Sequence, residues 1–350
     1  MPDPGAGLVV IPAGTAVRVH ACASSANLGP GFDSIGMALG VWDSYVAAVV
    51  DEPGLVIEID GDDQGVPRNE RHLVYATMKR AFTELGAALP AGLVLRCAPT
   101  IRQGRGMGSS AAAIAAGVAI AHGLVALATR GDDAVASDGT VTIDLLAVND
   151  LAGRLEGHPD NASASVLGGL TLSWTQDGGD PVMQRPLHYL SAQVPLHPDI
   201  EPCVVVPVTQ LPTATARAVL PAQVPHVEAA RNSGTAALLV LALSHRPDLL
   251  MPATREWLHQ EQRRSSLGGA MELVDALRAR GCPAVISGAG PSVLVLGTYD
   301  MAGTVDEVVA EVHASSEAGW RVLRPGVPES GVRVERVSLR LLSGGGLSIA

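Results

Sequence analysis

The sequence is organised around one stretch, Gly104-Arg105-Gly106-Met107-Gly108-Ser109-Ser110, which is followed at once by the alanine-rich run 111–116. Alternate glycines let the backbone turn tightly and approach a ligand closely. The alanines favour a helix that begins at the two serines. Because a helix N-terminus carries unpaired N–H groups and a partial positive charge, the stretch predicts a phosphate-binding loop. The serine hydroxyls add donors, or oxygen ligands for Mg²⁺.

Two known phosphate loops do not match this stretch. The Walker-type loop needs Gly-Lys-[Ser/Thr], and the one lysine of the chain, Lys79, lies far from it. The dinucleotide fingerprint needs a third glycine further along the chain. On the stretch alone, a glycine-rich turn with a serine N-cap that binds nothing remains an alternative.

Length and composition predict a globular protein of one large or two medium domains. The chain has 350 residues, of which 47% are apolar and only 3% aromatic, so Ala, Val and Leu must fill the core. The uncharged run 109–128 contains Gly117 and His122 and therefore predicts a buried core helix rather than a membrane span. The N-terminus lacks the basic flank of a signal peptide, so we expect a cytoplasmic protein without a membrane partner.

Charge and cysteine spacing exclude further classes. A net charge of −11 disfavours a nucleic-acid partner. The four cysteines show no C-x-x-C spacing, which argues against a zinc site and against a disulfide framework. They are Cys22, Cys97, Cys203 and Cys282.

Apolar patterning predicts a chain of alternating strands and helices, in which the glycine loop is preceded by a strand and followed by a helix. The predicted strands are 16–21, 37–50, 55–60, 92–97, 169–174, 202–208, 283–287, 292–296 and 331–337. The predicted helices are 69–85, the alanine-rich helix from 109, 143–155, a short helix after 161, 211–217, 229–243, 254–266, 269–280 and 305–314. Segment 129–142 is expected to be an exposed connection, and the tail 343–350 to fray.

Polar residues cluster in two further segments. Asn27 and Asp33 lie in a turn-rich loop, where they either face a ligand or make local turn hydrogen bonds. His158, Asp160 and Asn161 lie between two helices, where helix capping is the alternative to ligand binding. Two carboxylates nearby are either Mg²⁺ ligands or solvated helix charges; they are Asp150 and Glu156.

Three motifs together resemble those of the GHMP kinase superfamily. They are Asn27-Leu28-Gly29-Pro30-Gly31-Phe32-Asp33, Gly106-Met107-Gly108-Ser109-Ser110-Ala111-Ala112 and Ser287-Gly288-Ala289-Gly290-Pro291-Ser292. Within the superfamily, runs 24–34 and 156–161 are similar to the homoserine kinase family. The resemblance spans about 17–296, with Met107 in the place of the usual Leu.

The resemblance implies a two-domain α/β fold, with an N-terminal ATP-binding domain over 1–177 and a C-terminal domain over 178–350. The first would be like domain 2 of ribosomal protein S5 and the second ferredoxin-like. It implies ATP and Mg²⁺ as cofactors, L-homoserine as the substrate, and a homodimer as an oligomeric state found in the family. Two alternatives stay open: a related kinase of another small hydroxylated amino acid or metabolite, and a non-catalytic protein that keeps the fold.

The resemblance also implies roles for individual residues. Asp33 would lie near the attacking hydroxyl and act with Asn161 in catalysis. The substrate would be bound by Asn27, Asp33, His158, Asn161, Thr213, Arg217 and Arg263. ATP would lie over Arg102, Gln103, Gly104, Arg105, Gly106, Met107, Gly108, Ser109, Ser110, Ala111 and Ala112. The metal ligands would come from Ser109, Ser110, Asp150 and Glu156.

Overall fold

The structure is a computed structural model that describes residues 7–61, 65–176, 187–211, 213–315, 319–341 and 347–349. Its strands are β1 Ala16–Ala26, β2 Ile35–Val49, β3 Gly54–Ile59, β4 Gly92–Ala98, β5 Leu170–Gln176, β6 His188–Val194, β7 Ile200–Pro207, β8 Ala284–Ile286, β9 Val293–Thr298, β10 Trp320–Leu323, β11 Arg333–Arg336, β12 Leu339–Leu341 and β13 Leu347–Ile349. Its α-helices are α1 Leu73–Glu84, α2 Ser109–Arg130, α3 Leu145–Glu156, α4 Pro159–Leu167, α5 Thr213–Ala218, α6 His226–Ser244, α7 Leu250–Ala253, α8 Gln260–Leu267, α9 Gly269–Ala279 and α10 Ala302–Ser315.

A seven-stranded sheet carries the first polar motif. Its strands lie in the order β11-β1-β2-β4-β3, and β5 and β6 continue from β2. β3 and β4 are parallel, because α1 connects them across the sheet. The β1–β2 register shifts between Cys22 and Ala23, a bulge that lies just before the turn-rich loop of Asn27 and Asp33.

A second, four-stranded sheet carries the third motif. Its antiparallel strands lie in the order β10-β7-β9-β8. Buried side chains of α9 and α10, including Leu273, Leu277 and Val308, pack with Val205 and Val293 of the sheet. The hairpin between β8 and β9 holds the motif that starts at Ser287, so this sheet presents it towards the first sheet.

The alanine-rich helix α2 is buried in the core, as predicted. A Cβ on Gly117 would lie 2.6 Å from the carbonyl oxygen of Val74, so small residues are needed where α1 and α2 approach. Among the described helices, α2 with its extension to Ala134 is the one long and apolar enough to cross a membrane. Most of its apolar window is buried inside the fold, which is the property of a core helix.

Several predicted helices and strands differ from those in the structure, whereas the predicted domain boundary stays a prediction. The expected domain boundary at 177 lies outside the described residues, and β6 and β11, which follow it, both pair into the first sheet. No strand was predicted at β6 or β10. The helix predicted over 254–266 begins only at Gln260, because the Glu256 carboxylate accepts hydrogen bonds from the N–H groups of Leu258, His259 and Gln260.

Two predicted mobile or exposed segments are hydrogen-bonded. Segment 129–142 contains the 3₁₀ turn Gly131–Ala134, and Val141 donates its N–H to the carbonyl of Val334 in β11. The predicted frayed tail lies partly outside the described residues, but its described strand β13 pairs with β12.

Candidate active site

The glycine loop has the backbone that its sequence predicts. Gly104, Gly106 and Gly108 have φ values of 64°, 68° and 67°. A Cβ on Gly106 would lie 2.3 Å from the carbonyl oxygen of Ser287, and one on Gly108 would lie 2.1 Å from Ser24 Oγ. Only glycine fits these places without displacing a neighbour.

The start of α2 is open to an anion. Gly108 is the N-cap and has no side chain, so the first-turn N–H groups receive no side-chain cap. The alternative of a serine N-cap is therefore wrong, because Ser109 is the first residue of the helix itself. Uncapped N–H groups and the positive end of the helix dipole are the features that suit a phosphate.

Two cavities flank the loop and share Gln103, Ser109 and Ser110. The first, of about 330 Å³, is lined by side chains of β2, β4 and α1, including Tyr45 and Val74. The second, of about 260 Å³, is lined by residues from all three motifs. These are Asn27, Gln103, Gly104, Gly106, Met107, Gly108, Ser109, Ser110, Glu156, His158, Asp160, Asn161, Arg217, Arg263, Gly288 and Ala289.

The turn-rich loop holds Asp33 through Asn27. Both residues adopt the left-handed backbone conformation, with φ of 69° at Asn27 and 54° at Asp33. Asn27 Oδ1 accepts a hydrogen bond from the Asp33 N–H at 3.0 Å, and Asn27 Nδ2 donates to the carbonyl of Gly288 at 2.9 Å. Asn27 thus ties the first motif to the third. Asn27 therefore has a structural role, and it also lines the second cavity.

Two arginines, Arg217 and Arg263, lie near Phe32, with their guanidinium groups 5.7 and 5.6 Å from the ring centroid. Arg217 donates to both carboxylate oxygens of Asp33, at 2.5 and 3.3 Å. Arg263 is 1% exposed and donates from Nε to the carbonyl of Ala216 at 2.9 Å. Thr213 lies at the start of α5, and its side chain is outside the described part of the structure.

Sequence reasoning missed His259, which orients Arg263. Its Nδ1 accepts from Arg263 Nη1 at 3.2 Å, and its Nε2 donates to the carbonyl of Gly29 at 2.9 Å. Since arginine only donates and a carbonyl only accepts, these partners assign the neutral tautomer. Burial lowers the pKa of His259 and favours the same neutral form. The signal in the sequence was a histidine one helical turn before Arg263.

The start of α4 presents His158, Asp160 and Asn161 to the second cavity. His158 Nδ1 lies 3.2 Å from Asp160 Oδ1, and the buried Asp160 also accepts from the N–H of Asn161 at 2.8 Å. Burial of His158 disfavours its charged form, but the hydrogen bond and charge of Asp160 outweigh burial and raise its pKa. Asn161 Oδ1 accepts from Ser24 Oγ at 3.0 Å.

The structure separates the two candidate metal carboxylates. Ser110 Oγ lies 2.5 Å from Glu156 Oε1 at the mouth of the second cavity. Asp150 instead accepts hydrogen bonds from Arg154 Nε and from the N–H of Tyr189, with His188 Nδ1 at 2.9 Å. It lines neither cavity beside the loop. In the described ranges, no group of three His, Cys, Asp or Glu side chains could hold a metal ion by itself.

Three loop residues named for ATP do not line either cavity. The side chain of Arg105 donates to the carbonyls of Pro207 and Val208 at the end of β7. Ala111 and Ala112 are buried in the core, and the N–H of Ala112 already donates to the carbonyl of Gly108, so only the N–H of Ala111 is left for a ligand. Arg102 lines the first cavity, and the remaining loop residues line the second.

Comparisons with known proteins agree with these motifs. The family model "GHMP kinases N terminal domain" matches residues 72–169. The homoserine kinase of Streptomyces coelicolor is 44% identical over 322 residues, which cover 91% of this chain and 94% of that protein. The homoserine kinase of Streptomyces avermitilis is 45% identical and covers 91% of this chain and 95% of that protein.

Solved structures share the fold. The crystal structure of homoserine kinase from Cytophaga hutchinsonii has a TM-score of 0.75 at 23% identity and covers 91% of this chain and 97% of that chain. The mixed sheets and helices are thus those of a GHMP kinase, as the resemblance implied. The chain belongs to the homoserine kinase family of the GHMP kinases.

Proposed function

We propose that this enzyme transfers the γ-phosphoryl group of ATP to the side-chain hydroxyl of L-homoserine and releases ADP and O-phospho-L-homoserine. The hydroxyl oxygen forms a bond to the γ-phosphorus, and the bond from that phosphorus to the β–γ bridging oxygen breaks. The 40–45% identity to curated homoserine kinases supports this reaction. One observation in the candidate active site also fits an amino-acid substrate, which carries a carboxylate.

That observation is the buried guanidinium of Arg263. It has no ion pair with any carboxylate in the described part of the chain, and its hydrogen bonds go to the neutral groups of Ala216 and His259. Burial, with the charge of Arg217 second, lowers its pKa. A buried charge without a counterion is unfavourable. The α-carboxylate of an amino acid in this cavity would supply the missing anion.

For the nucleotide, we propose that the base lies in the cavity of about 330 Å³ and the phosphates over the glycine loop. The first cavity has apolar and aromatic walls, which suit a base. The shared residues Ser109 and Ser110 then lie between base and substrate, at the N-terminus of α2. This order brings the γ-phosphate towards the second cavity.

We propose that Ser110 and Glu156 hold Mg²⁺, with Ser109 beside them. Hydroxyl and carboxylate oxygens are the ligands that Mg²⁺ prefers, and a site with few protein ligands is completed by phosphates and water. The paired Ser110 and Glu156 oxygens fit such a partial site. When bound, Mg²⁺ would neutralise phosphate charge. Asp150 is engaged elsewhere, so the structure supports Glu156 over it.

Asp33 is proposed to accept a hydrogen bond from the substrate hydroxyl and so to orient its oxygen towards the γ-phosphorus. Asn27 fixes the backbone of Asp33, and Arg217 fixes its carboxylate. Asp33 itself is not among the residues that line the second cavity, but its partner Arg217 is. Asn161, held by Ser24, lines that cavity and would donate an amide hydrogen bond. Positioning of this kind supplies most of the catalysis in phosphoryl transfer.

The cellular setting is also a proposal. We propose that the enzyme works in the cytoplasm without a nucleic-acid or membrane partner. The buried free thiols and the net charge of −11 are compatible with this setting. The homodimer implied by the resemblance is testable by analytical ultracentrifugation.

A coupled assay of ADP release tests the reaction. With MgATP, L-homoserine is compared with 3-aminopropan-1-ol, which lacks only the carboxylate, and with L-serine, L-threonine and mevalonate. We expect turnover with L-homoserine and a large loss with the carboxylate-free analogue. Comparable turnover with both would contradict the role of Arg263. Turnover with another of these substrates alone would favour a different kinase of the superfamily.

Substitution of Arg263 by Lys keeps the charge and removes the planar donor pair. A hydrogen bond to a charged group contributes about 1.5–3 kcal/mol, so kcat/KM for L-homoserine should fall by about 10- to 100-fold. The affinity for ATP should stay within about threefold of wild type, because a lost hydrogen bond affects only the ligand that it contacts. An unchanged kcat/KM would contradict substrate binding by this residue.

A further inference from the structure

Arg105 is the loop residue whose side chain the nucleotide site does not use. Its guanidinium is nearly buried, with the residue 7% exposed. Nε donates to the carbonyl of Pro207 at 3.0 Å, Nη2 to that of Val208 at 2.6 Å, and Nη1 to that of Gln103 at 3.4 Å. One side chain therefore joins the glycine loop to the end of β7.

A backbone hydrogen bond strengthens the same junction. The N–H of Leu211 donates to the carbonyl of Gly104 at 2.8 Å. Segment 207–211 leads directly into α5, which carries Arg217, and Arg217 holds Asp33. Hydrogen bonds thus connect the phosphate loop to segment 207–211 and connect Arg217 of α5 to Asp33, the residue proposed to orient the substrate hydroxyl.

The charge of Arg105 has no partner in this arrangement. Its acceptors are neutral carbonyls, and the described residues provide it with no ion pair. Burial, with the nearby charge of Arg102 second, lowers its pKa. A nucleotide over the loop would fix the loop backbone, whose Gln103 and Gly104 carbonyls accept hydrogen bonds in this junction. Nucleotide binding would then favour the joined state of the loop and segment 207–211.

We propose that Arg105 is a positioning residue that couples the nucleotide site to the substrate site through segment 207–211 and α5. The proposal rests on the proposed function, because it assigns the two ligands to the two cavities. It requires that each ligand binds more tightly in the presence of the other, since binding coupling is reciprocal. It also requires that Arg105 contributes to this coupling and contributes little to the affinity for either ligand alone.

Calorimetric titrations measure the coupling. A non-hydrolysable ATP analogue with Mg²⁺ is titrated with and without saturating L-homoserine, and L-homoserine with and without the analogue. In wild type we expect each ligand to tighten the other by about fivefold or more. In Arg105→Gln this factor should fall to about one, with each separate Kd changed by less than about threefold, because coupling is a free energy distinct from either affinity.

The neighbouring variant Arg102→Gln is the matched control. Arg102 is exposed, belongs to the same loop and lines the first cavity. Its loss should weaken the analogue alone and keep the coupling factor. If Arg105→Gln instead weakens the analogue alone and keeps the factor, Arg105 is a phosphate ligand and the proposal is wrong. If wild type binds neither ligand, the proposed function itself has failed.

Hydrogen exchange of the wild-type enzyme tests the proposal without a variant. The analogue alone should slow amide exchange in 207–218, and L-homoserine alone should slow it in 102–108. Exchange that changes only in the segment touching each ligand would overturn the coupling. A purely structural role of Arg105 would lower the unfolding temperature of Arg105→Gln and leave both the coupling factor and this exchange pattern intact.

Discussion

Asp33 shows how local backbone and long-range contacts combine at one residue. Its left-handed backbone and its hydrogen bond to Asn27 were foreseeable, since Asn and Asp tolerate this conformation in turns. Its partner Arg217 comes from a helix 184 residues further along the chain. A single sequence gives the polar turn, but the pairing depends on how the two sheets meet. The turn-rich loop named Asp33 as a candidate, and the resemblance gave substrate roles to both Asp33 and Arg217.

Substitution of Asp33 by Asn keeps the size of the side chain and removes its charge. Loss of a correctly placed acceptor in a proton-linked step lowers the rate by about 10²–10⁴-fold, so we expect kcat for L-homoserine to fall by at least about 100-fold. Steady-state kinetics with MgATP measures this, and Kd for the ATP analogue should be unchanged. The exposed Asp199, outside both cavities, provides the control variant Asp199→Asn. Full turnover in Asp33→Asn would refute the orienting role.

His158 gives the enzyme a pH-dependent part of its stability. Asp160 raises the pKa of His158 above its ordinary value in the folded state. The folded state therefore binds the proton more tightly than the unfolded chain does. This contribution is fully present below the ordinary pKa and is lost as pH rises through the raised one.

Urea unfolding at pH 5.5 and pH 8.5 measures the contribution of His158. The free energy of unfolding of wild type, relative to His158→Gln, should be larger at pH 5.5 than at pH 8.5. The control variant His245→Gln removes an exposed histidine whose described partner is Ser244 rather than a carboxylate, and it is measured at the same two pH values. An advantage of wild type that grows towards pH 8.5 would contradict the assigned sign.

At the scale of elements, helix α2 and its loop were predictable and their neighbours were less so. Alanine propensity and alternate glycines predicted both helix and loop. The predicted start of α8 lies six residues before the observed start at Gln260. The Glu256 carboxylate accepts hydrogen bonds from the N–H groups of Leu258 and His259, which therefore do not form helical hydrogen bonds. β6 was missed, since its pairing with β5 joins segments on either side of residue 177. Such non-local pairing leaves little trace in local patterning.

Gly108 is the position where the loop tolerates a side chain least. An alanine there would have to adopt φ of 67° and would place Cβ 2.1 Å from Ser24 Oγ. The left-handed conformation alone costs about 1–2 kcal/mol, so Gly108→Ala should lower the free energy of unfolding by at least that amount. It should also weaken binding of the ATP analogue, because Gly108 precedes the first turn of α2.

Gly234 is the matched control for this substitution. It lies within α6, is exposed, and a Cβ there would meet no heavy atom within 4 Å. Because alanine is favoured over glycine inside helices by about 0.5–1 kcal/mol, Gly234→Ala should stabilise the protein by roughly that amount. Urea unfolding of both variants gives the comparison. Equal changes in the free energy of unfolding for the two variants would show that the backbone conformation and contacts of Gly108 do not require glycine.

At the scale of the whole molecule, the apolar core joins both halves of the chain. One cluster of buried residues contains Val19 of β1 and Ile120 of α2 together with Leu239 of α6, Leu294 of β9 and Val334 of β11. The other face of the second sheet packs on a separate cluster with α9 and α10. The second sheet therefore lies between two cores, one of which it shares with the first sheet. The expected domain boundary at 177 therefore divides the sequence into two parts, whereas one hydrophobic core contains residues from both parts.

This shared core predicts a single cooperative unfolding transition. If residues 1–177 and 178–350 unfolded independently, each would expose the faces that now bury Leu239 and Leu294 against the first sheet. Exposure of such apolar surface is unfavourable by about 25 cal/mol for each Å², so partly unfolded states should remain unpopulated. Tryptophans provide local probes, since Trp42 lies in β2 and Trp320 in β10. Two variants that each retain one of them, with the other tryptophans replaced by Phe, should give urea midpoints that coincide with each other and with far-UV circular dichroism of the same variant. Midpoints that separate reproducibly, with Trp320 reporting the earlier transition, would show that the second sheet unfolds on its own and that β6 and β11 do not unite the two halves.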